Sequence, residues 1–194
     1  MKRIAITQRE DTIASHQEIR DALDHRWMKL LHACQLEPLI IPNHLPTVEY
    51  YLKTSIIDGL LFTGGNHLQS TTNRDAVENR LLSWGIAYQI PILGVCRGMQ
   101  LIQQFFGDVL LSIPNHVNNS HMIYFDQSNR TTNSFHQFGC LKAGPFFDIL
   151  AKAEDGVIES IAHKDFPCYG IMWHPEREYP FVADDLNFIQ EIFT

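Results

Sequence analysis

Two segments far apart in the chain hold residues suited to nucleophilic catalysis. In the first, residues 91–100, an apolar run ends in Gly-x-Cys-x-Gly around Cys96. This pattern is typical of a strand-to-helix turn that exposes a nucleophile, and the flanking glycines leave room for it because they lack a Cβ. The start of a helix also favours the thiolate form of a cysteine. The segment therefore predicts acyl transfer by Cys96 through a thioester.

The second segment, residues 169–176, contains the run Trp-His-Pro-Glu. His174 is suited to take the thiol proton, and Glu176 is suited to accept the other imidazole N–H and fix its tautomer. We expect an extended backbone here, which would place both side chains on the same side. The predicted catalytic residues are thus Cys96, His174 and Glu176.

A third segment, residues 59–66, is an apolar run followed by two glycines. Such a turn can present a backbone N–H to an oxyanion, and we predict the amides of Gly65 and Arg97 as the two donors. A tight turn without a catalytic role is the alternative interpretation of the glycines. A lone cysteine is also more often a buried core residue, and we interpret the other three cysteines in this way: Cys34, Cys140 and Cys168.

The order of the predicted elements indicates an α/β fold. Strands and helices alternate through the first half, which favours a doubly wound, mostly parallel open sheet with a nucleophile elbow. Short strands with polar loops over residues 109–173 predict a small antiparallel portion, and the whole chain, residues 1–194, is expected to be one domain. The predicted strands are 2–7, 37–41, 57–62 and 90–95; the predicted helices are 17–35, 48–54, 76–89, 98–106 and 184–193.

Composition excludes several classes of protein. The chain is 45% hydrophobic and 19% charged with a formal net charge of −7, so a broad nucleic-acid surface is not expected. No apolar run approaches the length of a membrane span, and a working thiol suits the cytoplasm. The cysteines form no CxxC pair. His116 and His121 could approach each other, but no carboxylate or cysteine set accompanies them in the sequence, so we predict neither a metal nor a cofactor.

Taken together, the motifs resemble those of class I glutamine amidotransferases, and in particular the branch of stand-alone γ-glutamyl hydrolases. The resemblance extends over residues 2–193 and includes Arg74-Asp75 and the segments 133–137 and 155–159. It implies a flavodoxin-like amidotransferase fold and hydrolysis of a γ-glutamyl amide with release of glutamate. It also implies that the glutamyl group is held by Gln100, Ser134 and Phe135, whereas His136 is either a substrate contact or a structural histidine.

The leaving group is addressed by a different set of residues. The segment with Arg9, Arg20 and Arg26 resembles small amidotransferase-like proteins of capsule and surface-polysaccharide gene sets. That resemblance implies a γ-glutamyl nucleotide phosphoramidate, such as γ-glutamyl-CDP-amidate, as substrate. Arg9, Arg20 and Arg26 would then form a basic cluster suited to a pyrophosphate, with Arg9 and Arg26 as the predicted substrate contacts. A solvated helix face with local ion pairs is the alternative.

Three functional classes follow from these observations. The first is a stand-alone hydrolase of a small γ-glutamyl substrate, which we favour. The second is a glutaminase subunit that delivers ammonia to a separate synthase partner. The third is a non-catalytic binding module, which fits least well because all three predicted catalytic residues are present. Neither a nucleic acid nor a membrane is expected as a partner, and a homodimer stays open.

Overall fold

A nine-stranded mixed sheet forms the centre of the computed structural model, which describes residues 1–194. The strands, in chain order, are β1 (Arg3–Ile6), β2 (Arg9–Ile13), β3 (Glu18–Ala22), β4 (Glu37–Ile40), β5 (Gly59–Phe62), β6 (Ile92–Val95), β7 (Leu111–Ser112), β8 (Val117–Tyr124), β9 (Asn129–Phe135), β10 (Phe138–Gly139), β11 (Phe147–Ala153), β12 (Ile158–His163) and β13 (Cys168–Ile171). The helices are α1 (His25–Ala33), α2 (Leu45–Thr54), α3 (Thr72–Ala87), α4 (Arg97–Phe105) and α5 (Ala183–Phe193). None of these helices combines the length and apolar character needed to cross a bilayer.

Five parallel strands form one part of the sheet, in the order β4-β1-β5-β6-β13. The three central strands, β1, β5 and β6, are almost entirely apolar and buried on both faces, as expected for strands covered on both sides. In β1, Ile4 and Ile6 pack in one core with α1 and α5, whereas Ala5 lies in the other core with α2, α3 and α4. This confirms the predicted doubly wound sheet.

The antiparallel portion continues the same sheet through β12, β11, β8 and β9. Its strands are longer than the short runs expected from sequence, and β8 alone spans eight residues. Two further ribbons, β2 with β3 and β7 with β10, lie outside the main sheet. The carboxyl ends of β5, β6 and β13 lead into the three predicted catalytic segments.

The predicted helix over residues 17–35 is wrong in its first part. The chain forms the β2–β3 hairpin there, with Gln17 at a φ of 54° in the turn, and α1 begins only at His25. Two causes are visible. Ile19, which fits the helical spacing, is 65% exposed and contributes nothing to the core. The Asp24 side chain caps the new helix by accepting the Arg26 amide N–H at 2.9 Å.

Candidate active site

Cys96 lies in a sharp turn between β6 and α4. Its backbone has φ 54° and ψ −105°, an unusual conformation for a residue with a side chain. The turn is held by the Cys96 N–H, which donates to the Ile171 carbonyl at 2.7 Å. Close backbone approach explains the glycines. A Cβ on Gly94 would lie 2.5 Å from the Gly98 carbonyl, and one on Gly98 would lie 2.2 Å from the Phe62 carbonyl oxygen.

His174 and Glu176 form a buried pair directly after β13. The Nδ1 atom of His174 lies 2.7 Å from Oε1 of Glu176, and both side chains are at most 3% exposed. Glu176 reaches the ring through a 3-10 turn, Pro175–Arg177, and not through the extended backbone that we predicted. The fixed φ of proline at the first position favours such a turn. The carboxylate therefore orients the imidazole so that Nε2 is the atom left to act on a substrate.

In the third segment, Gly64 lies next to both Cys96 and His174. A Cβ built on Gly64 would lie 2.6 Å from Cε1 and 3.4 Å from Nε2 of His174, and 3.5 Å from Cβ of Cys96. The buried Nε2 has no hydrogen-bond partner. Burial alone would lower the pKa of His174, but its interactions with Cys96 and with Glu176 outweigh burial and raise the pKa to about 9. A thiolate beside an imidazolium is the arrangement that activates a cysteine nucleophile.

One buried arginine fixes the loop that carries Gly65. The Arg74 guanidinium donates to the carbonyl oxygens of Thr63, Gly64 and Gly65 at 2.8–3.0 Å, while its Nε donates to Glu78. Three consecutive carbonyl groups are thereby turned toward Arg74. Because Gly65 has a φ of 84°, its peptide group could otherwise turn over easily. The sequence contained Arg74 only as part of the family resemblance, and its role in positioning this loop is visible only in the structure.

The second predicted oxyanion donor is the amide of Arg97, the first residue of α4. Amides in the first turn of a helix have no intrahelical acceptor, so they are available to an anion. The Arg97 side chain is buried and forms ion pairs with Asp75, at 2.5 Å, and with Glu78. Since Arg74 also binds Glu78, one carboxylate links the two segments that carry the predicted donors.

A cleft of about 190 Å³ opens beside these groups and is lined by charged side chains. Arg9 and Arg177 both line it, together with Asp24. Arg177 was not among the residues predicted from sequence, although it follows Glu176 directly. Its guanidinium carbon lies 4.2 Å from the centre of the Phe135 ring. Arg26 pairs with Asp24 through several hydrogen bonds of 2.6–3.1 Å and, mainly through these bonds, lowers the pKa of Asp24 to about 2.

Arg20 differs from the other arginines. It lies on the outer hairpin strand β3, half-exposed, and pairs with Glu18 at 2.5 Å. Arg20 does not line the cleft. The structure therefore separates the predicted basic cluster: Arg9, which also pairs with Asp11 at 2.9 Å, lines the cleft, Arg26 pairs with a cleft carboxylate, and Arg20 lies outside the cleft.

The predicted glutamyl contacts lie at different depths. The Phe135 ring meets the His174 ring edge-on, with 5.6 Å between the ring centres. Gln100 donates from Nε2 to the Phe138 carbonyl at 2.8 Å, and Ser134 donates from Oγ to the His116 carbonyl at 2.7 Å. The His136 side chain is fully buried with both ring nitrogens engaged. The geometry favours the structural alternative for His136.

The histidines that we considered for a metal site are also close together. The ring centres of His116 and His121 are 4.4 Å apart. Our premise that no carboxylate accompanies them is wrong, because Glu159 lies beside both rings, with its Oε1 3.3 Å from a nitrogen of each. Sequence spacing does not predict this contact, because β8 and β12 are distant in the chain and only the folded sheet brings Glu159 beside the histidines.

Comparison with known proteins identifies the family of the chain. A family model described as glutamine amidotransferase class-I matches residues 15–179. The γ-glutamyl-CDP-amidate hydrolase of Campylobacter jejuni is 31% identical over 96% of this chain and 94% of its own length. The glutamine-hydrolyzing GMP synthase subunit of Pyrococcus furiosus is 31% identical over 78% of this chain and 82% of its own.

A solved structure supports the fold independently. A Thermoplasma acidophilum protein assigned as a subunit of GMP synthase superposes with a TM-score of 0.76, covering 100% of this chain and 92% of that one at 18% identity. The curated relatives indicate that the chain is a glutamine amidotransferase-like hydrolase. With a family model that covers most of its length, the chain belongs to the class I glutamine amidotransferase family.

Proposed function

We propose that the chain hydrolyses the γ-glutamyl amide of a nucleotide phosphoramidate, such as γ-glutamyl-CDP-amidate, and releases glutamate. The Cys96 thiolate attacks the γ-carbonyl carbon, and the amides of Gly65 and Arg97 stabilise the oxyanion that forms. The His174 imidazolium then gives its proton to the departing nitrogen. Water, deprotonated by His174, attacks the thioester, which releases glutamate and restores the thiolate.

Binding of the glutamyl group is assigned to residues around Cys96. By family resemblance, Gln100 and the backbone at Ser134 and Phe135 hold its α-amino and α-carboxylate groups. Glu176 need not take up a proton at any stage, because its part is to hold the imidazole and stabilise its charged form. These assignments place the γ-carbonyl carbon against the thiol and direct the rest of the substrate along the cleft.

The observation that carries the choice of leaving group is the presence of Arg9 and Arg177 in the same cleft as His174. Arginine binds phosphate oxygens through charge-assisted, often bidentate hydrogen bonds. Phosphate groups would be repelled by Asp24 if its charge were not already balanced, and Arg26 supplies that balance. A glutaminase that releases only ammonia would have no leaving group for these cations to bind.

The C. jejuni relative, whose name gives this activity, supports the proposal because its similarity extends over almost the whole chain. A phosphoramidate released by such a reaction would suit surface-polysaccharide biosynthesis. A second candidate function is that of a glutaminase subunit, which the relatives from GMP synthases support. The two candidates differ in autonomy, since a stand-alone hydrolase turns over without a partner.

The test compares three single variants on two substrates. Arg9→Ala and Arg177→Ala should each lower kcat/KM for γ-glutamyl-CDP-amidate about ten- to a hundredfold, as expected for the loss of one charge-assisted contact. Both variants should lower kcat/KM much less for a small uncharged γ-glutamyl amide, and Arg9→Ala, which contacts no catalytic side chain, should leave it nearly unchanged. Arg20→Ala is the matched control for Arg9→Ala, because the two arginines are equally exposed and Arg20 lies outside the cleft.

Two results would contradict the proposal. Equal losses on both substrates would mean that the arginines serve the fold or the glutamyl pocket. A purified chain that is inactive alone on the phosphoramidate, and that hydrolyses glutamine only when a synthase is added, would favour the glutaminase function.

A further inference from the structure

A second cluster of chemically active side chains lies in the antiparallel part of the sheet, apart from the cleft. It comprises His116, His121, His136 and Glu159, which come from β8, β12 and the segments next to β8 and β9. Oε1 of Glu159 lies 3.3 Å from one nitrogen of each of the three histidines. The Glu159 side chain is only 1% exposed. Burying a carboxylate costs free energy unless the charge is paired.

Hydrogen-bond counting shows that this cluster needs a cation. His116 must carry a proton on Nε2, which lies 3.0 Å from the Asp155 carboxylate, and His136 must carry one on Nδ1, which lies 3.1 Å from the Phe138 carbonyl. In neutral rings, the other nitrogens of His116 and His136 then present lone pairs to each other across 3.1 Å. Either an additional proton or a metal ion must lie between them.

The buried polar atoms of His121 and Glu159 favour the metal ion over the additional proton. An additional proton on His116 would leave both nitrogens of His121 and both oxygens of Glu159 without an aligned hydrogen bond, although all four atoms are buried. A metal ion would satisfy an atom of each. One donor atom from each of His116, His121 and Glu159 lies within 4.8 Å of the other two. The two distances of 3.3 Å from Oε1 of Glu159 to nitrogens of His116 and His121 also match the edge of a tetrahedron around zinc, about 3.3 Å for bonds near 2.05 Å.

We propose that His116, His121 and Glu159 bind a structural zinc ion. His136, the fourth side chain of the cluster, lies beside them, with Nε2 3.3 Å from Oε1 of Glu159. The surroundings are those of a zinc site. A ring nitrogen of His116 faces Asp155, and one of His136 faces a backbone carbonyl, as partners that orient zinc-bound histidines do. The ion would tie β8, β12 and the end of β9 together. Because Phe135 precedes His136 and packs on His174, the site supports one wall of the active site.

The test measures metal binding in a Cys96→Ala chain, so that the active-site thiol cannot capture the ion. We expect about one Zn²⁺ per metal-depleted chain by elemental analysis and titration, with a rise in Tm on binding. Adding His121→Ala should weaken affinity by at least about a hundredfold, because even partners of zinc ligands are worth 10–100-fold. Asp155→Asn should cost about tenfold on the same basis. His163→Ala, on the same strand as Glu159 but outside the cluster, is the matched control.

Cobalt substitution of the Cys96→Ala chain gives a readout that does not depend on the folding of the His121→Ala or Asp155→Asn variants. A tetrahedral Co²⁺ spectrum without a thiolate band is expected. A weak octahedral spectrum, a thiolate band, or zinc that binds the His121→Ala chain at the parent affinity would overturn the site. The site would also be overturned if the Cys96→Ala chain bound zinc no more tightly than the chain with His121→Ala added. An additional proton would then be the cation of this cluster.

Discussion

Replacing Arg74 by lysine tests whether the loop at Gly65 is positioned for catalysis or only for stability. Arg74 is fully buried and makes six hydrogen bonds, five of them to loop residues 63–66. Lysine keeps the charge but has three donors, so at least half of these bonds are lost. At about 1 kcal/mol for each bond, the free energy of unfolding should fall by about 3 kcal/mol.

The catalytic effect should be separable from this loss of stability. Removing one oxyanion donor costs 10²–10³ in kcat, and a partly ordered loop should cost less, so we expect a ten- to hundredfold loss. KM should change little, because the oxyanion forms only after binding. The assay is steady-state glutamate release well below the Tm of the variant, together with chemical denaturation.

A matched control lies on the same helix. Arg80 of α3 pairs with Glu49 at 2.5 Å, makes none of the loop contacts of Arg74 and is partly exposed. Arg80→Lys should keep the wild-type kcat. If Arg74→Lys is destabilised but retains full kcat, the loop does not depend on Arg74 for its catalytic geometry, and the reasoning is refuted.

Three further predictions concern the catalytic groups. A Cys96→Ala/His174→Ala double variant should be about as inactive as either single variant, since residues of one catalytic unit are not additive; multiplied losses in kcat would contradict this. The alkaline limb of kcat/KM should lie near pH 9, where His174 loses the proton that the leaving nitrogen needs. Glu176→Gln should move this limb to lower pH, because it removes a charge that raises the pKa of His174. A limb that does not move would contradict the pairing of His174 with Glu176. Gly64→Ala would place a methyl group 2.6 Å from the His174 ring and should lower kcat about a hundredfold while the far-UV circular dichroism spectrum stays unchanged; wild-type kcat would mean that the ring has room to move.

The parallel half of the fold could be predicted from sequence because its signals are local. Strands buried on both faces appear as continuous apolar runs, and the glycines around Cys96 mark a turn that only a close backbone approach requires. The pairing of His174 with Glu176 was predicted correctly, although the backbone between them was not. Two residues of separation permit the contact in a 3-10 turn as well as in a strand.

The remaining features depend on contacts between distant segments. The β2–β3 hairpin contains a helical spacing of apolar residues, but Ile19 has no partner in the core and Asp24 starts the helix later. Glu159 and His121 are distant in the chain, and they come into contact only because the sheet places β12 and β8 two strands apart, in the order β12-β11-β8. Similarly, Arg177 joins Arg9 in one cleft through packing that no motif records.

Trapping the acyl group tests the central claim, that Cys96 forms a γ-glutamyl thioester. Burial raises the pKa of Cys34 to about 11, that of Cys140 to about 12 and that of Cys168 further, so these three stay protonated and unreactive. Turnover with γ-glutamyl-CDP-amidate, quenched in acid within the first cycle, can be followed by peptide mass mapping. The account predicts one γ-glutamyl group, on the peptide that contains Cys96. A γ-glutamyl group on another cysteine, or glutamate release at the full rate from Cys96→Ala, would contradict it.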